Sequence, residues 1–376
     1  MNNARMSQTT PNTIEEINYL RGFGVLAVIA IHTTGYFTEV PQFNTLVLLN
    51  LWTDIFAQFA VPLFILISGF VLAKKYRGAF SWIEFYKKRI RSIIPQYILF
   101  SVLYSVFNNM TVIRSHSLSS NLKLFFTSIL NADASYHLWF FSIIIQAYIF
   151  YPLFIKVYDF FRQRNKSELL ITLLMILQTL WMVGLHTPYL LGIKLNLIGF
   201  IFYFGIGIYT SDHYEALQKR FSRQTSAWLI AALALTLGSS FSIIIGLTTG
   251  YRYNTIPPYF FIGPELIYPI FRVLTFLFLY NLARSLATKR SVLAKLVHNI
   301  GVYSFGIYLI HIFFNQSLIK LLKSYNIQFV DASFYPLVFV MTVILSYVSV
   351  RLISFLPYSY FIIGYQSKQK RSLRST

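Results

Sequence analysis

Residues 17–34 read INYLRGFGVLAVIAIHTT, an apolar helix with an arginine near its start and a histidine well inside. In an α-helix these two residues, Arg21 and His32, lie on one face with an axial separation of roughly 16 Å. An ionisable side chain within a membrane is costly unless it faces the bundle interior or a water-filled cavity. His32 is therefore a candidate functional residue. The structural alternative is a neutral histidine that joins two helices by a hydrogen bond.

The composition is that of a membrane protein. The 376 residues are 56% hydrophobic and only 12% charged, too few charges to solvate the surface of a soluble protein. A span needs about 20 apolar residues, so the sequence predicts an all-α polytopic bundle of about ten transmembrane helices. The predicted spans are 18–38, 48–73, 92–110, 138–160, 168–185, 194–211, 227–248, 262–283, 300–322 and 333–356. The first lacks a signal-peptide pattern and is interpreted as a retained helix.

The basic residues indicate the orientation. Most of the 32 Lys and Arg residues lie in the connections after the second, fourth, sixth and eighth predicted spans and in the C-terminal tail. Positive charge accumulates on the cytoplasmic side, so both termini are predicted to be cytoplasmic. The net charge of +20 then reflects topology, and no nucleic-acid partner is expected. The predicted organisation is a cytoplasmic lead (1–16), one transmembrane domain (17–360) and a basic cytoplasmic tail (361–376).

A basic cluster lies in YKKRIRSIIPQY (86–97), at the start of the third predicted span. One interpretation is a topology anchor bound to lipid phosphates. The other is a phosphate-binding entrance, since basic side chains beside a helix N-terminus suit anionic groups. Pro95 is expected in the first turn of the helix, where proline is tolerated. The basic residues are Lys87, Lys88, Arg89 and Arg91.

Two more histidines are candidate site residues. His137, in YHLWFF (136–141), stands at the outer start of the fourth span and is either functional or merely solvated, whereas Trp139 fits an interfacial anchor. His311, about halfway through the ninth span, either makes a structural hydrogen bond or lines a cavity together with His32. The chain has no cysteine. No metal site and no thiolate nucleophile are predicted.

Carboxylates are scarce in the predicted spans, and apart from Asp159 and Glu168 at span ends only Asp54 and Glu265 occur there. Glu265 and Arg272 are two helical turns apart on one face, which allows either a structural ion pair or two residues around a cavity. Between the third and fourth spans, LKLFFTSIL (122–130) is predicted to be part of an external loop or an interfacial or re-entrant helix.

Five motifs, in order, resemble those of the acyltransferase 3 family of integral membrane O-acyltransferases, which modify surface polysaccharides and related envelope molecules. LRGFGVLAVIAIH (20–32) has the arginine-to-histidine spacing of the family's first helix. The later motifs are VPLFILISGF (61–70), FYKKRIRSIIPQY (85–97), YHLWFFSIIIQAYIFYP (136–152) and SFGIYLIH (304–311). The chain is most similar to the compact branch without an appended esterase-like domain, such as the O-acetyltransferases of enterobacterial common antigen. Two positions differ from those of many family members: Ser92 stands in place of a second arginine, and Ile145 stands in place of a glutamate before Gln146.

The resemblance implies transfer of an acyl group, most commonly acetyl, from cytoplasmic acyl-CoA to a hydroxyl of an envelope polysaccharide or its lipid-linked precursor, at the bacterial inner membrane. Acyl-CoA would be a co-substrate, with no permanently bound cofactor, and the other partners would be the glycan acceptor and membrane lipids. His32 is the expected catalytic residue, as general base or as transient acyl carrier. The donor phosphates are assigned to Arg21, Lys88, Arg89 and Arg91. The acceptor side, or support of the centre, is assigned to Asp54, His137, Trp139, His311, Glu265 and Arg272.

Two other classes of function use similar residues. An exporter or flippase for a polysaccharide or lipid-linked intermediate would also place ionisable side chains along a water-filled route, but paired broken helices in two similar halves would be expected. The sequence shows no internal repeat. In a regulatory or assembly subunit, the charged residues would serve packing alone.

Overall fold

The computed structural model describes residues 14–78, 80–185, 196–220, 225–253, 262–289 and 291–365. Within these ranges the chain is helical without strands. Nine helical segments of the described chain are long and apolar enough to cross a membrane. The sixth predicted span, 194–211, corresponds to a shorter apolar helix that ends at Asp212. The all-α polytopic architecture is therefore confirmed.

The helices are α1 (Glu15–Thr34), α2 (Thr45–Ala57), α3 (Ala60–Lys75), α4 (Trp82–Ser115), α5 (Leu118–Asn131), α6 (Trp139–Arg162), α7 (Ser167–Leu185), α8 (Ile201–Asp212), α9 (Tyr214–Arg220), α10 (Thr225–Tyr253), α11 (Ile262–Thr288), α12 (Val292–Val302), α13 (Ser304–Ser324), α14 (Phe334–Ile353) and α15 (Ser359–Ile363). Short 3₁₀ segments follow α1 (Gly35–Glu39) and precede α8 (Asn196–Phe200).

Helix α1 is central to the bundle. It packs against α2, α3, α11, α12, α13 and α14, and Val25 and Ile29 on it are fully buried. The helix runs without interruption from Arg21 to His32, so both lie on one face as the spacing predicts. The second predicted span is instead two helices, α2 and α3, that break at Gln58 and Phe59. Pro62 explains the break, because its ring lacks an N–H and would clash with the carbonyl of Gln58 in a continuous helix.

Helix α4 begins ten residues before the predicted span. Ser81 caps it by accepting a hydrogen bond from the backbone N–H of Glu84 (3.4 Å). The basic cluster consequently lies on the helix itself, and Pro95 is in the helix interior. The expected positions of the cluster at the N-terminal end and of Pro95 in the first turn were wrong, because hydropathy cannot detect the amphipathic turns that precede an apolar run.

Helix α5 folds back along α4. The Asn121 amide near its start donates to the carbonyl of Ile113 (2.9 Å), and the carbonyl of Ile129 near its end accepts from the Tyr97 hydroxyl, far earlier on α4. The turn that follows is buried and leads into α6. The segment is therefore a helix that runs back beside α4 and not an irregular loop. An uncovered apolar stripe runs along its outer side at every fourth residue: Leu118, Leu122, Phe126 and Leu130.

Glycines bring α3 and α8 together. A Cβ atom at Gly207 would lie 2.1 Å from the carbonyl oxygen of Leu66, and one at Gly69 would lie 2.4 Å from that of Phe204. The two backbones therefore touch, which only glycine at these positions permits. This contact fixes the position of α3, which contributes Phe64 and Ser68 to the cavity described below.

The ends of α3, α6 and α8 meet in one ionic cluster. Asp212 binds Arg77 (2.5 Å) and Arg162 (2.8 Å), and Arg77 also reaches Asp159 (3.5 Å). Burial lowers the pKa of Arg77, but the hydrogen bond and charge of Asp212 outweigh it and raise the pKa above its ordinary value. The second, fourth and sixth predicted spans therefore end at the same face, as the alternating basic connections predict.

The packed chain continues beyond residue 360, the predicted end of the transmembrane domain. Helix α15 packs against α4, where the Gln96 amide donates to the carbonyl of Tyr360 (2.6 Å). Gly364 has φ +71° and lies against the ring of Phe305. Residues 1–13 of the predicted lead and 366–376 of the predicted tail lie outside the described residues.

Candidate active site

Three histidines that are far apart in the sequence meet inside the bundle. The ring of His311, on α13, lies 5.3 Å from that of His32, on α1, and 5.3 Å from that of His137, just before α6. His311 is therefore the middle member of a row, which we call the histidine row. His311 and His137 are 0% and 1% exposed, whereas His32 is half-buried. An ionisable group so deep in a membrane bundle is typical of a functional site.

Hydrogen bonds from neighbouring elements position His137. Its Nδ1 lies 3.0 Å from the Ser135 hydroxyl, and its backbone carbonyl accepts a hydrogen bond from the Tyr308 hydroxyl. Helix α5 and the largely buried turn after it place this residue inside the bundle. The interpretation of His137 as a solvated external residue was therefore wrong, because the turn before α6 lies within the protein.

A hydrogen bond within α13 positions His311, and a hydrogen bond to α1 positions the helix that carries it. Its Nδ1 is 2.7 Å from the carbonyl oxygen of Tyr308, which can only accept, so Nδ1 carries the ring proton. Its Nε2 is buried and has no hydrogen-bond partner among the described residues. One turn further along α13, Asn315 donates to the Thr33 hydroxyl (3.2 Å) and fixes α13 beside His32.

Tyrosines enclose the histidine row. The Tyr136 ring meets His32 edge-on at 4.9 Å, and the Tyr104 ring meets His137 at 4.9 Å. The Tyr104 hydroxyl donates to the carbonyl of Leu309 (2.9 Å) and accepts from the N–H of Phe313 (3.2 Å). It thereby ties α4 to α13 on both sides of His311. Nothing in the sequence distinguishes Tyr104 from the other 26 tyrosines of the chain.

A cavity of about 340 Å³ lies beside the histidine row. Arg21, Ser68, Ser92 and Tyr148 give it a polar part, and aromatic side chains including Phe64, Phe140 and Tyr308 form apolar walls. The Tyr308 ring also lies 5.3 Å from His137 and 5.9 Å from His311. One side chain thus separates the cavity from the histidines.

Three segments of the chain each carry one side chain that lines the cavity and, several residues away, one member of the histidine row. On α1, Arg21 is followed by His32. In the segment that leads into α6, Tyr148 lies eleven positions after His137, the same spacing as between Arg21 and His32. This shared spacing could have identified Tyr148 from the sequence. On α13, Ser304 lies two turns before His311 on the same face. The cavity therefore runs from the level of Arg21 towards the histidine row.

The basic cluster on α4 divides into inward and outward side chains. Arg89 is half-buried, stacks over the Tyr148 ring at 5.4 Å and donates a hydrogen bond to the Tyr76 hydroxyl (3.5 Å). Lys88 and Arg91 are exposed. Ser92, at the position where the related motif has a second arginine, lines the cavity, so Arg91 does not take the place of that arginine.

Asp54 and Arg272 belong to a second polar cluster. The Gln58 amide donates to Asp54 (3.2 Å), and its oxygen accepts from Arg272 (3.4 Å), which also donates to Tyr203 (3.4 Å). Asp54 contacts Thr34, which is two positions after His32 and so on the opposite side of α1. The structure does not bring this cluster together with the histidine row.

The two remaining predicted site residues lie away from the histidine row. Glu265 acts electrostatically on Arg272, in the second cluster. Trp139 is 37% exposed at the start of α6, against Phe200 (5.9 Å). Within the described ranges, no group of three or more His, Asp and Glu side chains is arranged to hold a metal ion.

The bundle, the cavity and the buried histidines together define a multi-pass membrane protein with an intramembrane site. A model of the acyltransferase 3 family, described as an acyltransferase domain, matches residues 14–351. The chain belongs to this family, and the protein is a membrane acyltransferase. No curated protein sequence and no solved structure matches it.

Proposed function

We propose that the protein transfers an acyl group, in the first instance acetyl, from cytoplasmic acyl-CoA to a hydroxyl of an envelope polysaccharide or its lipid-linked precursor. The observation that carries this proposal is the cavity that extends from Arg21 to Tyr308, whose ring lies against the histidine row. An anionic donor with a long flexible arm and a reactive thioester needs cations at one end of such a cavity and a base at the other.

The cationic end is formed by Arg21 and Arg89. Both lie beside Tyr148, and Arg89 offers a planar set of donors that suits phosphate oxygens. The exposed Lys88 and Arg91 add attraction for the donor's phosphates from the surface. The distance of roughly 16 Å from Arg21 to His32 along α1 is within reach of an extended pantetheine arm. The apolar walls suit its methylene groups.

The reaction needs one base and no external oxidant or reductant. His32 takes the proton of the acceptor hydroxyl as its oxygen attacks the thioester carbonyl, and a tetrahedral oxyanion forms. The carbon–sulfur bond then breaks, the thiolate of coenzyme A leaves, and it receives the proton from His32. In the two-step alternative, His32 itself accepts the acyl group and passes it to the hydroxyl.

The acceptor approaches from the opposite side of the membrane. His137 belongs to the histidine row, Tyr136 lies against His32 of that row, and Trp139 offers an exposed ring on which a sugar can stack. The second cluster, with Asp54, Glu265 and Arg272, is a candidate for supporting the outer half of the bundle. The bacterial inner membrane and the compact branch of the family remain predictions from the sequence.

Proteoliposomes with radiolabelled acetyl-CoA, with and without a glycan fraction extracted from the envelope, test the proposal. We expect covalent label on the glycan with the wild-type chain. His32→Ala should still bind acetyl-CoA but lose transfer by about a thousandfold, within the range for a general base. Transfer by His32→Ala at the wild-type rate would refute the role of His32. Movement of unmodified glycan without label would favour the exporter.

A further inference from the structure

We infer that His311 is a positioning residue that determines which ring nitrogen of His32 carries the proton. This inference rests on the proposed function of the histidine row. A base must present a lone pair to the acceptor hydroxyl, and a neutral imidazole has its lone pair on one nitrogen only. Which nitrogen of His32 is free depends on what the other nitrogen binds. His311 is the neighbour of His32 with a free acceptor.

The tautomer of His311 follows from one contact. Because the carbonyl of Tyr308 accepts from Nδ1 (2.7 Å), the lone pair of a neutral His311 is on Nε2. That atom is fully buried and has no partner among the described residues. A buried acceptor that lacks a donor is unfavourable, so a donor is expected at this position during the reaction.

The geometry allows His32 to be that donor. Ring nitrogens lie roughly 1.1 Å from the centre of an imidazole, so facing nitrogens of two rings 5.3 Å apart can approach to about 3 Å, the length of a hydrogen bond. The Asn315–Thr33 bond next to this pair keeps α1 and α13 in register. The two rings are tilted by 31° to each other, and the contact forms when the half-buried His32 ring turns one of its nitrogens towards Nε2 of His311.

The contact has two consequences for the reaction. The N–H of His32 that points to His311 leaves the opposite nitrogen free to take the proton of the acceptor hydroxyl. Once His32 is protonated, the hydrogen bond to His311 holds a charged donor, and such bonds are stronger than neutral ones. His311 itself neither gains nor loses a proton.

Two substitutions separate this role from packing. His311→Asn keeps an amide that can donate to the Tyr308 carbonyl but has no atom at the position of Nε2. His311→Gln places an amide oxygen near that position and can accept from His32. Purified wild-type and variant chains would be compared in proteoliposomes by turnover and KM for acetyl-CoA and by thermal unfolding.

We expect His311→Asn to lower kcat about 10- to 100-fold, the range for losing a hydrogen bond to a charged group. The KM for acetyl-CoA should change less than about threefold, and His311→Gln should turn over at least about fivefold faster than His311→Asn. Wild-type kcat in His311→Asn would overturn the inference, as would equal rates of the two variants. A parallel loss of thermal stability and of donor binding in both variants would assign His311 to packing alone. Absence of transfer by the wild-type chain would refute the proposed function as well.

Discussion

The division of the basic cluster on α4 makes a quantitative prediction about donor binding. Arg89 is half-buried and stacks over the ring of Tyr148, which lines the cavity, whereas Arg91, two positions away on the same helix, is exposed. Both carry one positive charge. Substitution of either by glutamine therefore removes the same charge from different surroundings.

The expected magnitudes follow from those surroundings. A charge-assisted hydrogen bond from a half-buried arginine to a phosphate is worth about 1.5–3 kcal/mol. Loss of this bond in Arg89→Gln corresponds to a 10- to 150-fold rise in the Kd for acetyl-CoA. An exposed charge contributes about 1 kcal/mol at most, so Arg91→Gln should weaken binding by no more than about fivefold.

Binding of radiolabelled acetyl-CoA to purified protein in detergent, at low and at high salt, measures both effects. Arg89→Lys is a useful third variant because it keeps the charge and loses the planar fork, so its Kd should lie between those of the wild-type and Arg89→Gln chains. Thermal unfolding identifies any loss of structure, since Arg89 also stacks on Phe85 (5.9 Å). Equal weakening by Arg89→Gln and Arg91→Gln, or unchanged binding by both, would refute the assignment and favour the lipid-anchor interpretation.

Two further predictions concern the bundle that positions the site. Gly207→Ala should lower the free energy of unfolding by more than about 3 kcal/mol, because its Cβ would lie 2.1 Å from the Leu66 carbonyl and force α3 and α8 apart. Gly238→Ala, on open surface, is the matched control and should be neutral or stabilising. Equal denaturation midpoints of the two variants would contradict the prediction for Gly207. Asp212→Asn should cost about 2 kcal/mol because two arginines lose one carboxylate that is only 8% exposed. Glu84→Gln, in an exposed pair, should change the denaturation midpoint little, and the prediction fails if the two variants behave alike.

The sequence predicted the membrane class, the approximate positions of most membrane-spanning segments and the shared face of Arg21 and His32. These properties depend on hydropathy and helical periodicity, which are local along the chain. The same periodicity could have found Tyr148 from its spacing to His137. It could not predict the early start of α4, because the first turns of that helix are amphipathic, nor the buried turn that carries His137.

The sequence by itself thus determined that this is a polytopic helical membrane protein, and its motifs indicated the acyltransferase family and proposed His32 for the reaction. Only the tertiary structure decided that His311 stands between His32 and His137, that Arg89 turns inward while Arg91 does not, and that Asp54 lies on the other side of α1. The reason is physical. Hydropathy sets which segments enter the membrane, but the rotation and depth of each helix relative to its neighbours depend on contacts between residues far apart in the chain, such as the glycine contacts of α3 with α8 and the Asn315–Thr33 hydrogen bond.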